Sequence, residues 1–568
     1  MVLHRELSPP MTDDRLHIPI PNVSGWIHRA YVLRQQLESA IDLTFEDATI
    51  PAGTSIVLYN DVDAGLGDIA FATKLLRLLR AAMPACELIL ASTGRAKQER
   101  FGRPEGVTLY GVDEFARLTT HRTPTLVISA PGNFDHCRSR EAVLAALAVD
   151  PATPFVYLSE YGSLRYLRND AFKGLMPALE AFVETYMDEA AQKAGVSPDD
   201  LGHRASTGDI LCAEDGKRPY PIGHILDGLV ADRPDNPLRA FMAQPLLAAR
   251  ACGLDVGEVG IHIDEALTAQ ALEVERDPAA RATQLAAIEH PALSAHLGHV
   301  ARTAPDAALY AGYATSGYDL FLDYVSILEG RRTRDVDLIL PTPRTPDELH
   351  AAFVNDALVA RLRTRGVATL TFLGYAQAGL VPADATPVTV TTPIAPSGKH
   401  LRVVSFFPLP YRDMRRLLLS AEPATVVSGD QSFSDAVSAN KAILYTEPVY
   451  CQAYHVDAVA AIASRIAPDI QTLLAFGMRS IWSEEGYDAI IRILSAEGAM
   501  APFHAFDAEV RAHHNANRAL VAIVKRQLLS YADPAVATRV GAAIQTALRD
   551  FTAATGFTLP TASLRPAR

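Results

Sequence analysis

Short, unbroken apolar runs alternate along this chain with stretches whose apolar residues recur every three or four positions. The run at 55–59 (SIVLY) follows the turn-forming Pro51-Ala52-Gly53 and is rich in β-formers, which predicts a strand. A loop follows at 60–68 (NDVDAGLGD). Beyond it Ile69, Ala72, Leu75, Leu76 and Leu79 fall on one helical face, with Lys74, Arg77 and Arg80 mostly elsewhere. Pro84 closes that helix, and 87–91 (ELILA) reads as the next strand. Strand, loop, helix and strand make the building block of a parallel α/β sheet. Runs at 125–129 (TLVIS) and 154–158 (PFVYL) continue it.

The stretch 170–305 changes character, being rich in Ala, Leu, Asp and Glu. Helical patches near 176–194 and 237–252 predict a largely helical elaboration of the first α/β domain. Strand-like runs return at 337–340, 368–373, 387–392, 402–406, 424–428 and 441–445, with helical stretches such as 411–420 between them. This predicts a second α/β domain, followed by a helical tail from 468 that packs back across both.

The net charge of −13 argues against a nucleic-acid partner, since phosphate binding needs concentrated Lys and Arg. With 49% hydrophobic and 21% charged residues, the composition is that of a soluble globular protein. No run supplies the ~20 apolar residues of a membrane span. The first residues carry Glu6, Asp13, Asp14 and Pro9-Pro10 and lack the order of a signal peptide. Five scattered cysteines without a CxxC pair suit a reducing compartment. A cytoplasmic protein is expected, with export by another route left open. His136, His224, His262 and His455 stand at no metal-binding spacing, and no metal is expected.

Two loops concentrate the candidate chemistry. In Asp61-Val62-Asp63-Ala64-Gly65-Leu66-Gly67-Asp68, Gly65 and Gly67 permit a tight turn and close approach of a substrate. The helix starting near Asp68 offers unpaired N–H groups at the carboxyl end of a strand, where open sheets bind ligands. Asp68 or Asp63, crowded by other carboxylates, is a candidate general base. A Gly-rich loop with an N-capping Asp is also ordinary architecture. The loop matches neither the G-x-G-x-x-G nor the P-loop pattern.

The second loop is Ser428-Gly429-Asp430-Gln431-Ser432-Phe433, with Gly429 as the turn and a helix starting near Ser432. Ser432 and Asp435 have capping-box spacing, and the N–H groups of Ser432 and Phe433 would form a seat for a diphosphate. Asp430 suits a sugar or ribose hydroxyl. A capped helix without a ligand explains the same residues. Phe407 and Tyr411 follow a strand end and are candidates for stacking on a base, although such aromatics are more often core. Glu447, just after the strand at 441–445, is a candidate for ribose hydroxyls or a plain surface carboxylate.

The run from Gly65 to Arg80 resembles the first loop and helix of lipopolysaccharide heptosyltransferases. Phe407-Pro408-Leu409-Pro410-Tyr411-Arg412-Asp413, followed by Gly429-Asp430-Gln431-Ser432-Phe433, resembles bacterial protein-arginine rhamnosyltransferases. Both groups are GT-B glycosyltransferases. The resemblance implies two facing Rossmann-like domains: an acceptor domain at 51–305 with its insert, and a nucleotide-sugar domain at 306–465. A helical extension at 1–50 and a helical region at 466–568 flank them. It further implies an inverting, metal-independent transfer from a nucleoside-diphosphate sugar to an unidentified protein or glycan acceptor, with no cofactor. Asp68 or Asp63 then takes the place of the catalytic acid residue, Asp430 that of the Gly-Glu-Asp-Ser acid, and Gln431, Ser432 and Phe433 the diphosphate loop. Charge for the diphosphate would come from the helix end and from Lys74, Lys399 or Arg402. Ser428 replaces the family's Arg, and Asp430 its Glu. Those departures leave an epimerase of the same fold, or a non-catalytic binding protein, as alternatives.

Overall fold

The computed structural model describes residues 38–62, 67–118, 123–131, 138–159, 249–254, 258–313, 318–379, 385–445, 453–468, 470–471, 484–529 and 534–555, with short pieces between 178 and 221. The chain forms two compact units. The larger comprises Ile41–Leu167 and Ala248–Arg539, and the smaller Met1–Ala40, Arg168–Leu247 and Val540–Arg568.

In the larger unit the first sheet begins with β1 (Ser55–Asn60), β2 (Glu87–Ser92), β3 (Val107–Gly111), β4 (Leu126–Ser129) and β5 (Phe155–Ser159). Helix α1 (Gly67–Ala82) follows β1, and α2 (Arg95–Phe101) follows β2. Ile56 and Leu58 pack on one side of the sheet with Phe71, Leu75, Leu76 and Leu79 of α1. Val57 and Tyr59 pack on the other side with Phe115, Val143 and Leu144. A strand buried on both faces has no polar alternation, which is why SIVLY reads as a continuous apolar run.

The smaller unit contains helical positions between 178 and 192, as the sequence predicts, and an antiparallel pair, β6 (Ile210–Cys212) and β7 (Pro219–Pro221).

The first sheet gains a sixth strand, β8 (Ala249–Ala251), parallel to β5, in the order β3-β2-β1-β4-β5-β8. The sequence predicts a helix reaching 252 here, and the structure corrects it. The Ala-Arg-Ala segment has helical propensity, but ladder bonds to β5 and an ion pair of buried Arg250 with Asp42 outweigh that local preference.

Three helices follow, α3 (Glu265–Arg276), α4 (Pro278–Ala286) and α5 (Pro291–Thr303). Asp264, Asp277 and His290 cap their starts with side-chain acceptors. The second sheet is β9 (Ala308–Ala311), β10 (Val336–Ile339), β11 (Val367–Tyr375), β12 (Pro387–Pro393) and β13 (Lys399–Ser405), in the order β12-β11-β13-β10-β9. Only β12 runs antiparallel to its neighbour. After α6 (Tyr411–Ser420), β14 (Ala424–Val427) and β15 (Ala442–Tyr445) form a parallel pair around α7 (Asp430–Ser438). A bond from Tyr313 N–H to the Val426 carbonyl, 2.9 Å, joins β9 to β14 and so extends the sheet. Ile288 of the turn after α4 and Leu293 of α5 share a core with Leu309, Ala311, Ile339 and Val404.

The C-terminal helices reach both sheets. Phe503, Phe506 and Val510 of α8 (Ala501–His513) enter the core around β14 and β15. Leu520, Ile523 and Val524 of α9 (Asn517–Leu528) enter the core beneath β1 and α1. The chain is thus an α/β protein of parallel sheets and packed helices, as the alternation predicts.

Helix α8 also buries Asp507 to 1% exposure, and neither carboxyl oxygen has a hydrogen-bond partner among the described residues. Burial pushes its pKa well above the usual carboxylate value, against a smaller opposing effect of Arg511. With the folded pKa raised, the unfolded chain ionises first as pH rises past about 4. The folded state then holds the extra proton, and stability falls by about 1.4 kcal/mol per pH unit until the folded pKa is reached. Asp507→Asn is expected to remove that slope from a series of thermal melts between pH 4 and 8. An unchanged slope would exclude Asp507 as its source.

Candidate functional site

Open parallel sheets bind ligands beyond the strands' carboxyl ends, where the strand order reverses. In the first sheet that point lies between β1 and β4. Buried Asn60, at the end of β1, spans it: its Nδ2 donates to the carbonyls of Ala130 and Asp68, both at 3.1 Å. Asp61 beside it is engaged. Arg138 Nε donates to its Oδ2 at 3.1 Å, the Thr93 hydroxyl to its Oδ1 at 3.1 Å, and Tyr59 at 3.4 Å. Gly67 and Asp68 open α1, with Asp68 only 8% exposed. Asp63 and Gly65 lie outside the described residues.

The second sheet reverses between β9 and β14. The two strands approach so closely there that a Cβ on Gly312 would lie 2.4 Å from Val426 Cγ1 and 2.8 Å from its carbonyl oxygen. Beyond β14 the chain turns at Gly429 (φ 153°, ψ 155°) and enters α7 two residues earlier than expected, at Asp430 rather than near Ser432. Two readings are thereby corrected. Phe433 N–H donates to the Gly429 carbonyl at 2.9 Å, so it belongs to the helix ladder and is closed to a ligand. The N–H groups of Asp430, Gln431 and Ser432 occupy the first turn instead. Nor does the capping box form: the Ser432 hydroxyl donates back to the Gly429 carbonyl at 2.8 Å. Asp430 accepts from the Tyr445 hydroxyl at 3.5 Å, and Gln431 is buried at the same turn. The Phe433 ring is core, packed edge-on to Tyr445. Glu447 lies outside the described residues.

The two candidate aromatics separate. Phe407 is half-buried just past β13. β13 lies two strands from β9, about 10 Å across the sheet. Tyr411 is not a platform for a base, because its ring stacks on Phe101 of α2 at 4.4 Å and its hydroxyl donates to Asp435 at 2.9 Å. Burial, and then the Asp435 carboxylate, push the Tyr411 pKa up.

The candidate cations are likewise committed. Lys399 begins β13 at the end of the sheet away from this crevice, and its Nζ donates to the carbonyls of Glu329 and Arg332. Arg402 is paired with Asp335 and Asp337. Lys74, 1% exposed, crosses from α1 to α7, where Nζ lies 2.8 Å from Asp435 Oδ1 and 3.2 Å from the Gln431 carbonyl. Sequence reasoning did not single out Phe101, Arg138 or Gly312, and it gave Asp435 only the spacing of a capping box.

Among the described residues no group of three or more His, Cys, Asp or Glu is placed to hold a metal. His262 is buried beside Lys74, and burial pushes its pKa down to about 4. No helix among the described residues is long and apolar enough to cross a membrane.

Helix starts at the switch points of two parallel sheets define a doubly wound α/β protein. The chain is similar in structure to solved glycosyltransferases. One is EarP, from a structure of arginine glycosylation of translation elongation factor EF-P (TM-score 0.31, 16% identity, 47% of this chain and 73% of that one). Another is a UDP-glucosyltransferase from Polygonum tinctorium (TM-score 0.36, 9% identity, 85% of this chain and 100% of that one). A third is a family 9 glycosyl transferase from Veillonella parvula (TM-score 0.28, 9% identity, 70% of this chain and 80% of that one). No protein-family model matches the chain, and no curated protein matches its sequence. At such scores these likenesses carry no weight for function, which has to be read from the chain's own residues.

Proposed function

We propose that this protein is a glycosyltransferase that takes a sugar from a nucleoside-diphosphate donor. The observation that carries this reading is a helix start at each switch point, with the two helices joined by one buried side chain. α7 begins with the N–H groups of Asp430, Gln431 and Ser432, α1 with Asp68, and Lys74 of α1 touches the Gln431 carbonyl at 3.2 Å. Asp68 precedes Lys74 by about 9 Å along the axis of α1, a span suited to a sugar between a carboxylate and a diphosphate.

In this reading the diphosphate lies at the start of α7, where N–H groups and the helix dipole favour an anion. Asp68 takes the proton of the acceptor as it attacks the anomeric carbon from the face opposite the diphosphate. The fixed N–H groups stabilise charge developing on the leaving diphosphate, each donor contributing on the order of 3 kcal/mol in a water-poor site. Phe407 is the aromatic left available to the base, and the acceptor is a protein or a glycan.

Thermal melts with UDP, dTDP, GDP, ADP and CMP test the donor class. One of the diphosphates is expected to raise the melting temperature, by the equivalent of about 2.7 kcal/mol at a hundredfold excess over its Kd. Asp430→Pro removes the first N–H of the helix at a position where proline suits a helix, and the ψ of 155° at Gly429 suits a residue before proline. This variant should stay folded and lose the shift, while Asp430→Ala keeps most of it. Asp68→Asn should keep the shift and lose sugar transfer. A wild type indifferent to every nucleotide at millimolar concentration would sink the reading.

A further inference from the structure

We propose that the amino-terminal edge of the second sheet carries a binding site for a small phosphomonoester, separate from the crevice at the strands' carboxyl ends. A cavity of about 560 Å³ opens there, lined by Arg331, Arg332, Thr333, Arg334 and Glu422. Residues 331–334 join the helix Tyr318–Leu328 to β10, and Glu422 lies just before β14. The four-residue strands β10 and β14 separate the cavity from the crevice by about 13 Å. The inference therefore stands apart from the glycosyltransferase reading.

The loop is fixed from beneath, and its outer side is left to a ligand. Fully buried Glu329 accepts from Arg334 Nε at 3.0 Å and from a terminal nitrogen of the same guanidinium at 2.8 Å. It also accepts from Arg332 at 2.9 Å and from the Tyr310 hydroxyl at 2.7 Å. Glu422 Oε1 lies 3.2 Å from the other terminal nitrogen of Arg334, so the plane of that guanidinium is set. Buried Lys399 donates to the carbonyls of Glu329 and Arg332, the second at 3.0 Å. A trans peptide sets its C=O and N–H in opposite directions, so the Thr333 N–H points away from that ammonium. Among the described residues, the Arg331 side chain and the N–H and hydroxyl of Thr333 have no hydrogen-bond or ion-pair partner.

The local charge selects the ligand. Four cations (Arg331, Arg332, Arg334 and Lys399) stand against two carboxylates (Glu329 and Glu422), an excess of two positive charges. The charges beyond them cancel, with Arg361, Arg365 and Arg402 matched by Asp323, Asp335 and Asp337. In a chain of net charge −13 this excess is a local feature. A phosphomonoester carries a charge of about −1.5 to −2 near neutral pH, which fits it. Planar arginine forks beside a free N–H and hydroxyl suit the phosphate oxygens. The cavity has the size of small-molecule pockets, which points to a metabolite as large as a sugar phosphate.

The test is calorimetric titration of glucose-6-phosphate, inorganic phosphate and glucose into the full-length protein and its variants. The wild type should bind glucose-6-phosphate, bind inorganic phosphate more weakly, and ignore glucose. Arg331→Ala removes an exposed, unbonded side chain, so the melting temperature should hold while affinity falls at least about tenfold, the worth of one charged hydrogen bond. Replacing Arg331 and Arg332 together by Ala should abolish measurable binding. Arg331→Lys keeps the charge without the fork and should fall between Arg331→Ala and the wild type. Glu422→Gln takes a carboxylate from the cavity wall and should tighten binding. A wild type that ignores both phosphates at millimolar concentration would overturn the proposal, as would binding that survives the loss of both arginines. Binding lost in Asp430→Pro but kept in the arginine variants would belong to the crevice and overturn it equally. Failure of every nucleotide to bind sinks the donor reading and leaves this site standing.

Discussion

Asp42→Leu is expected to destabilise the protein by about 3–5 kcal/mol, the range for breaking a buried ion pair from one side. Asp42 is fully buried and stands between two buried guanidinium groups. Arg250 of β8 reaches its Oδ2 at 2.7 Å through both Nε and a terminal nitrogen, and Arg526 of α9 reaches its Oδ1. Leucine is no smaller than aspartate and leaves no cavity, so the cost is electrostatic. Two buried cations lose the carboxylate they share, and their desolvation is no longer offset. Chemical denaturation with a linear extrapolation measures it. A loss below about 1 kcal/mol would mean that the arginines find other compensation. Replacing Asp42, Arg250 and Arg526 together by apolar residues should recover much of the loss, because the penalty lies in the unmatched charge.

Gly312→Ala should cost about 3 kcal/mol or more and abolish the anion binding proposed at α7. The new Cβ would meet Val426 Cγ1 at 2.4 Å, its carbonyl oxygen at 2.8 Å and its nitrogen at 3.0 Å. Overpacking a side chain typically costs about 1–3 kcal/mol, and here backbone atoms are also in the way. Relief requires β9 to move off β14, which breaks the Tyr313 to Val426 bond and shifts the strand that leads into Gly429. The added variant Val426→Ala should restore little, since the contact with the carbonyl oxygen remains. Circular-dichroism melts with and without pyrophosphate check both effects. A folded Gly312→Ala protein that still binds pyrophosphate as wild type does would show that the seat is independent of this seam.

Some misreadings have local causes. The capping-box spacing of Ser432 and Asp435 points to a start of α7 two residues later than the one the fold adopts. In the folded chain Asp435 is drawn instead to Lys74 and Tyr411, three groups from three different helices. Its place after a strand end makes Tyr411 look like a partner for a base, but Phe101 stacks on its ring. β3 and β8 went unread because VTLYG is short and half-exposed, and ARA has the composition of a helix.

What the sequence by itself determined is the succession of most strands and helices, including β1, α1, β2 and α6 to within a residue or two at their ends, and hence the α/β class. Those elements follow from apolar runs and helical periodicity, which are properties of neighbouring residues. Tertiary structure alone decided the order of strands, the seam at Gly312, and the meeting of Lys74 with Asp435 across 361 positions, 435 minus 74. A lysine off the apolar face of a helix looks like a solvated charge until another helix covers it. Its partner is chosen by the packing of both sheets at once, and no local pattern encodes that choice.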